Sequence, residues 1–443
     1  DTLAGGAGAD TLVGGGGNDV FVVGPLAEFP GSESVAGGDG TDLLQFDSNV
    51  AGQTLVLSGA RVADVEAVEI TGLVALNVNA AGLKNAVAIT GNDQANSLTA
   101  TPYADTLTGG GGADTLTGGA GNDVYLIGDA ADFAVGERIG DSAGTADRIR
   151  FDSSVAVDEL VLGATVSGIE VVELVENINP LASVAMNLDA SALASGITVI
   201  GNAAANRIIG TARNDTLEGK AGTDTLIGGL GTDVFRCVVD QVDRDDVSAG
   251  ARSEGNKLVL TGTTGGHIVM DLSSDTDQWV SVGGVDDGHV MTGITHVDAS
   301  AVQGTSITLT GSAEANTLIG TEEDDFFVVL DALHFNGDKL DGDDGADTLR
   351  FASTTGGQVL TLNGLSVTHI EKVAIASATG DASGVTTLGI NAASVKSALV
   401  MDGNAGDNAL TGTAYADTLT GGDGHDTIVA GGGADRVVMD IAA

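Results

Sequence analysis

The chain has one cysteine, one tryptophan and four prolines in 443 residues. A single cysteine, Cys237, forms no internal disulfide, and no Cys/His spacing of the kind that holds zinc is present. Cys237 reads as a small buried apolar side chain rather than a reactive thiol. Aromatic residues are 3% of the chain, so a core has to be built from small aliphatic side chains. Positive charge is also scarce: 17 Lys and Arg stand against 62 Asp and Glu, a formal net charge of −45, which excludes nucleic acid as a partner. No apolar run approaches the roughly 18 to 20 residues of a membrane-spanning helix. No initial Met or signal peptide is present, and the sequence opens and closes inside repeats, so it is read as a fragment of something longer.

What the chain does have is 68 glycines beside an apolar fraction of 42%. The apolar residues set it apart from a disordered tail, and the glycines from an ordinary globule. Asp is far commoner than Glu. Asp is the shorter, more turn-compatible carboxylate, so the acidity reads as positional, the bland alternative being a solvated acidic surface.

Two periods are written into the sequence. The short one is nine: from 91 the chain reads GNDQANSLT, ATPYADTLT, GGGGADTLT, GGAGNDVYL. The four-unit block returns at 201 and 403, a shortened one stands at 311, the tail of another opens the chain, and isolated copies lie at 37 and 342. The long period is about 90 to 110 residues and carries weaker phrases between the blocks, such as RIRFDSSVAVDELVL, then VADVEAVEI, VSGIEVVEL and VTHIEKVAI, then LNVNAAGL and MNLDASAL. Alternating apolar and polar residues rich in Val, Ile and Thr make these short strands. DASALAS, with Asp189 as a candidate N-cap, is either one helical turn or a coil corner.

Short strands with turn signals every nine or so residues predict an all-β fold, an elongated parallel β-solenoid (β-roll or β-helix) with acidic nonapeptide blocks. The expected divisions are repeat 1 over 1–104, repeat 2 over 105–214, a divergent repeat 3 over 215–324, repeat 4 over 325–416, and the start of a further block at 417–443. Repeat 3 carries Trp279 and an acidic run within 237–296, which reads as an insertion projecting from the solenoid.

Within one unit, GGxGxD precedes a three-residue strand whose middle side chain points inward: Leu12, Phe21, Leu116, Tyr125, Leu226, Phe235 and Leu419 fill that place. Each ordered glycine costs roughly 0.5 to 1 kcal/mol more backbone entropy than alanine. If two units make one coil, stacking also brings carboxylates such as Asp105 and Asp123 to about 4.8 Å, where like charges repel. Both costs call for a cation. A donor set of carboxylate and carbonyl oxygens suits Ca2+ better than Mg2+ and offers zinc or copper nothing soft.

These units resemble the nonapeptides of the repeats-in-toxin (RTX) family, a match covering about a third of the chain. The resemblance implies a parallel β-roll with two nonapeptides per coil and calcium held between the turn of one unit and that of the unit after next. Carried over residue by residue, it places metal ligation at Asp10, Asp19, Asp42, Asp114, Asp123, Asp224, Asp233, Asp347, Asp426 and Asp435. Weaker turns fall at Asp105, Asp215, Asp325 and Asp417, and the turn glycines include Gly5, Gly14, Gly109, Gly111, Gly118, Gly228 and Gly421. Asn96, Asn206, Asn316 and Asn408 replace the aspartate in the opening units, which read as coils leading into the calcium stack. Lys220, Asp343 and Ala430 replace glycines, which predicts distorted or half-occupied turns. Asn256 and Asp243 are expected to bind no calcium. The segments between blocks resemble the solenoids of calcium-dependent bacterial surface-layer proteins and very large secreted RTX proteins.

No GxSxG elbow, HExxH pair, P-loop or zinc cluster occurs, and His267, His289, His296, His334, His369 and His425 are scattered, so no enzyme is expected. The resemblance implies type I secretion and an extracellular, cell-surface location. The function it implies is a structural one, a surface-layer or matrix subunit that forms a homo-oligomer or lattice through calcium, with cell-surface polysaccharide as a further partner. The rival readings are the stalk of an adhesin, and the non-catalytic export and folding module of a secreted hydrolase or epimerase.

Overall fold

The computed structural model describes residues 1–29, 31–175, 184–239, 245–285 and 288–439. Asp243 therefore lies outside the described residues, as does part of the acidic run around it. The chain divides into two compact units, Asp1–Gly219 and Lys220–Ala443. Each is a parallel β-solenoid.

In the first unit one face is a continuous parallel ladder. Val20–Val23, Leu43–Phe46, Ala67–Ile70, Ala88–Thr90, Thr106–Thr108, Val124–Ile127, Arg148–Phe151, Val171–Leu174, Thr198–Ile200 and Thr216–Glu218 stack in that order. The register puts Phe21, Leu44, Val68, Ile89, Leu107, Tyr125, Ile149, Val172, Val199 and Leu217 one above another, and each is at most 1% exposed. Their neighbours point outward, the period-2 alternation of a strand buried on one side. A second face is formed by the intervening strands, among them Asn77–Gly82, Ser97–Thr99, Thr115–Thr117 and Arg138–Gly140. The core is the thin layer between these faces. Most nonapeptide strands are only three or four residues long, because the chain has to turn again before it can reach farther.

The second unit repeats the arrangement. One face stacks Val234–Val238, Asn256–Thr263, Ile294–Gln303, Thr317–Ile319 and Lys339–Asp341. Another runs from Ile307–Thr310 through Phe326–Val329, Thr348–Phe351, Lys372–Ile375, Val400–Asp402 and Thr418–Thr420 to Arg436–Val438.

Segment 237–296 does not project as one insertion. Asp246–Ser248 and Asn256–Thr263 are ordinary coil strands, pairing in parallel with Met291–Thr292 and Ile294–Gln303. Among the described residues of the segment, the departure is an antiparallel hairpin, Ile268–Asp271 with Trp279–Val282, and its first strand pairs in parallel with Ile307–Thr310. Trp279 is 8% exposed, so its ring is not presented to solvent.

Three smaller readings also resolve. DASALAS is a coil corner, where the Ser191 N–H donates to Asp189 Oδ1 at 2.9 Å after the strand Met186–Asp189. Cys237 is buried. Of the expected inward residues, Phe21, Leu116, Tyr125, Leu226, Phe235 and Leu419 are buried, while Leu12, in the outermost strand of its sheet, is half-buried.

Candidate calcium corners

The solenoid corners stack as regularly as the strands, and a ladder of side chains runs through them. At each step one carboxylate or amide oxygen accepts the backbone N–H of the equivalent residue in the preceding coil. Asp114 Oδ1 accepts from Asn96 at 2.7 Å, Asp123 Oδ1 from Asp105 at 2.7 Å, and Asp42 Oδ1 from Asp19 at 2.8 Å. Beyond the nonapeptides the ladder continues: Glu66 accepts from Asp42, Glu137 from Asp114, Asp147 from Asp123, Glu170 from Asp147 and Glu371 from Asp347, at 2.7 to 2.9 Å. Asn256 fills the place above Asp233, accepting its N–H at 2.9 Å. Aspartates two units apart do stack, as expected, but backbone donors stand between them.

What satisfies the rest of each side chain divides the corners into three kinds. In the first, Asn96, Asn206, Asn316 and Asn408 use the amide oxygen to accept the N–H four residues earlier, at 2.7 to 2.9 Å. Their amide nitrogens donate across to backbone oxygens of Leu76, Met186, Thr295 and Leu388. Such a corner is complete in itself.

In the second kind, a threonine occupies the position four before the aspartate. Its N–H and hydroxyl donate to that carboxylate: Thr101 to Asp105, Thr211 to Asp215, Thr321 to Asp325 and Thr413 to Asp417. These are the weaker turns of the sequence reading. Both oxygens of each aspartate are already held by protein donors, so these corners fit an ion less well than the glycine corners do.

In the third kind, glycine replaces the threonine. Gly110, for example, has φ +86°, a left-handed conformation that suits glycine. No hydroxyl remains, and Oδ2 of Asp10, Asp42, Asp114, Asp123 and Asp347 is buried with no hydrogen-bond partner. Leaving a buried carboxylate oxygen unpaired costs roughly 1–3 kcal/mol or more. The glycine five residues before the corner side chain, found at Asn and threonine corners too (Gly91, Gly320), leaves room for that side chain itself. A methyl group on Gly14, Gly109, Gly118, Gly228, Gly342 or Gly421 would overlap the carboxylate of Asp19, Asp114, Asp123, Asp233, Asp347 or Asp426; at Gly5 it would meet Glu33 Oε1 at 2.6 Å and Asp10 Oδ2 at 2.9 Å. Gly111, by contrast, has only Asp93 at van der Waals distance and serves the turn rather than the carboxylate.

Burial drives the corner carboxylates upward: Asp114 to about 6, and Asp123 and Asp347 to about 7. Glu137, on the ladder above Asp114, is likewise pushed to about 7. Oxygen-only donors, cramped by glycine and unpaired inside the protein, fit a hard cation that takes many oxygen ligands, which is calcium.

The expected glycine replacements keep the turn. Lys220 and Asp343 both adopt φ +69°, the glycine conformation, at a strain of about 1–2 kcal/mol each. Ala430, like Ala100 before Asp105, has a methyl five residues before the aspartate, where the other nonapeptide corners have glycine. The ladder itself escaped the sequence reading. Its signal was present, however, since Glu66, Glu170 and Glu371 are the shared glutamate of the VADVEAVEI, VSGIEVVEL and VTHIEKVAI phrases.

Fold and corners together define a parallel β-solenoid with calcium-type turns. The profile of the RTX calcium-binding nonapeptide repeat matches at residues 1–25, 90–125, 200–235 and 402–437. These blocks are RTX repeats; such repeats bind Ca2+ and are typical of secreted proteins. Comparison with curated proteins gives no match. Among the described residues no helix is long and apolar enough to cross a membrane.

Proposed function

We propose that this chain is a calcium-dependent structural protein of the bacterial cell surface, a self-assembling surface-layer or matrix subunit exported by type I secretion, with no catalytic role. The observation that carries this reading is the corner ladder. Glycine corners that need a cation are joined, coil by coil, to spacer corners that satisfy themselves, so calcium acts on the framework of the fold rather than on one pocket. Scarce calcium inside the cell and plentiful calcium outside make folding follow export. Spacer faces leave Val155, Val157, Val161, Leu365 and Val385 exposed, apolar side chains available for contact with a second copy. Cell-surface polysaccharide is the further partner proposed.

Electron microscopy with and without calcium tests this. Ordered sheets or filaments in calcium that disperse in chelator are expected. A monodisperse monomer in both conditions overturns the assembling subunit in favour of a stalk or an export module.

A further inference from the structure

One glycine corner carries a carboxylate that the others lack. Gly118 stacks beneath Asp141, since Thr117 pairs with Gly140 in the strands just before them. At the matching place the glycine corner of Asp19 carries Gly37 above Gly14, and the threonine corner of Asp325 carries Gly342 above Gly320, following the registers Val13 to Ala36 and Ile319 to Asp341. The side chains of Asp123, Asp141 and Asp147 thereby meet, with one oxygen from each lying within 4.8 Å of the others. Asp123 is fully buried, and its Oδ2 has no partner. That oxygen and Asp141 Oδ2 flank the same vacant point, where a methyl on Gly118 would stand.

A second feature occurs with the first. Tyr125 accepts the Gly118 N–H at 2.8 Å and donates its hydroxyl to Asp141 Oδ2 at 2.8 Å. The blocks without an aspartate at this place carry Phe21, Phe235 and Phe327 where Tyr125 stands. The hydroxyl is thus present where there is a carboxylate to aim. Arg148, next to Asp147 in the chain, pairs with Glu173 at 2.6 Å.

The geometry points to a divalent-cation site outside the repeat pattern, formed by Asp123, Asp141 and Asp147 and clamping the block at 91–128 to the spacer coil at 138–151. Asp141 and Asp147 lie outside the nonapeptides, and Tyr125 is the positioning residue that aims Asp141. Three carboxylates on one ion give this site more ligand charge than a glycine corner has, and ligand charge raises calcium affinity. Calcium here ties the spacer to the block, so the spacer coil folds with it.

The test uses the full chain with Asp141→Asn, Tyr125→Phe and the charge control Asp152→Asn, an exposed position. Titration calorimetry with calcium is expected to show one ion fewer for Asp141→Asn. Tyr125→Phe should retain the ion count with a severalfold weaker affinity, and Asp152→Asn should match the parent. Terbium, excited through tyrosine, should lose a component in both Asp141→Asn and Tyr125→Phe. Thermal melts separate binding from relief of repulsion: Asp141→Asn should melt higher than the parent in chelator and lower in calcium. An unchanged ion count in Asp141→Asn, or a higher melting temperature in both conditions, overturns the site. Either result leaves surface assembly, read separately by microscopy, unaffected.

Discussion

Asp105 and Asp123 sit at the same corner of consecutive coils, 18 residues apart, joined by the hydrogen bond from the Asp105 N–H to Asp123 Oδ1. Their strands are partners in one sheet, with Leu107 and Tyr125 stacked beneath. Both carboxylates are buried, yet Thr101 donates its N–H and hydroxyl to Asp105, whereas Asp123 Oδ2 has no partner. The electrostatics follow: burial raises both; the Val87 N–H and then the Thr101 donors pull Asp105 back, while for Asp123 burial and the neighbouring Asp141 outweigh the Asp105 N–H and hold it at about 7. A solenoid coil can therefore complete the same turn with a hydroxyl or with a cation. In this pair the choice rests on the two residues five and four before the aspartate, Ala100 and Thr101 against Gly118 and Gly119. A threonine corner is completed by protein donors alone, and a glycine corner leaves one buried carboxylate oxygen for a cation.

The largest expected effect breaks the comparison from the glycine side. Chelation removes the partner of every unpaired corner oxygen at once, and the free energy of binding is also free energy of folding. Circular dichroism in excess chelator should show loss of most of the β signal from the blocks, restored by calcium. An unchanged spectrum would show that the glycine corners need no ion.

A smaller effect tests the comparison from the other side. Thr321→Gly, with Gly320 already beside Asp325, removes the hydroxyl donor to that carboxylate and leaves the backbone N–H; it should destabilise the calcium-free chain by about 1–3 kcal/mol, while converting the corner to the glycine kind. The variant should recover stability as calcium rises, measured by urea denaturation over a calcium series. Equal destabilisation at all calcium levels would mean that glycine at this place does not by itself create an ion site.

The fold was legible because the period of nine and the alternation within each strand encode it directly, and Leu107, Tyr125 and Leu217 lie where that alternation puts them. The glycine corners were legible for the same reason. The threonine corners were read as weak metal turns: the sequence shows the aspartate and the missing glycines, but not that Thr101 reaches back to cap Asp105, a contact set by backbone curvature. The ladder through Glu66 and Glu170 was hidden because strand patterning explains those phrases without assigning the glutamate a partner 23 or 24 residues away. Asp141 was missed because its coil breaks the nonapeptide spacing. Segment 237–296 was read as projecting because the antiparallel return at 268–282 leaves no repeat to recognise.

Protons should replace calcium in part, and the sign is fixed by the direction of the shifts. Asp114 at about 6 and Asp347 at about 7 are raised above the usual carboxylate range by burial. The metal-free fold therefore binds protons more tightly than the unfolded chain does. The stabilisation is fully present below about pH 4 and is lost as pH rises through about 6 to 7. In chelator, residual β-structure should thus be greater at pH 5 than at pH 8, and apparent calcium affinity should fall on acidification. A chelated protein that loses structure on acidification from pH 8 to 5 would contradict burial of unpaired carboxylates at the corners.

The smallest effect concerns the corner at Asp435, where Ala430 stands in the place of glycine. Its side chain crowds the position that Gly421 leaves open beside Asp426. Asp435 Oδ1 still accepts the Asp417 N–H at 3.0 Å, so the ladder is kept and the ion space is reduced. Ala430→Gly should have effects of opposite sign in the two media. Without calcium it adds backbone freedom to the unfolded chain and costs about 0.5–1 kcal/mol; with calcium it opens the corner and should strengthen binding severalfold. Calcium titrations followed by calorimetry and melting read both signs on one variant. If the substitution destabilises equally in both media, the methyl is no obstacle, and the glycine of these corners is there for the turn alone.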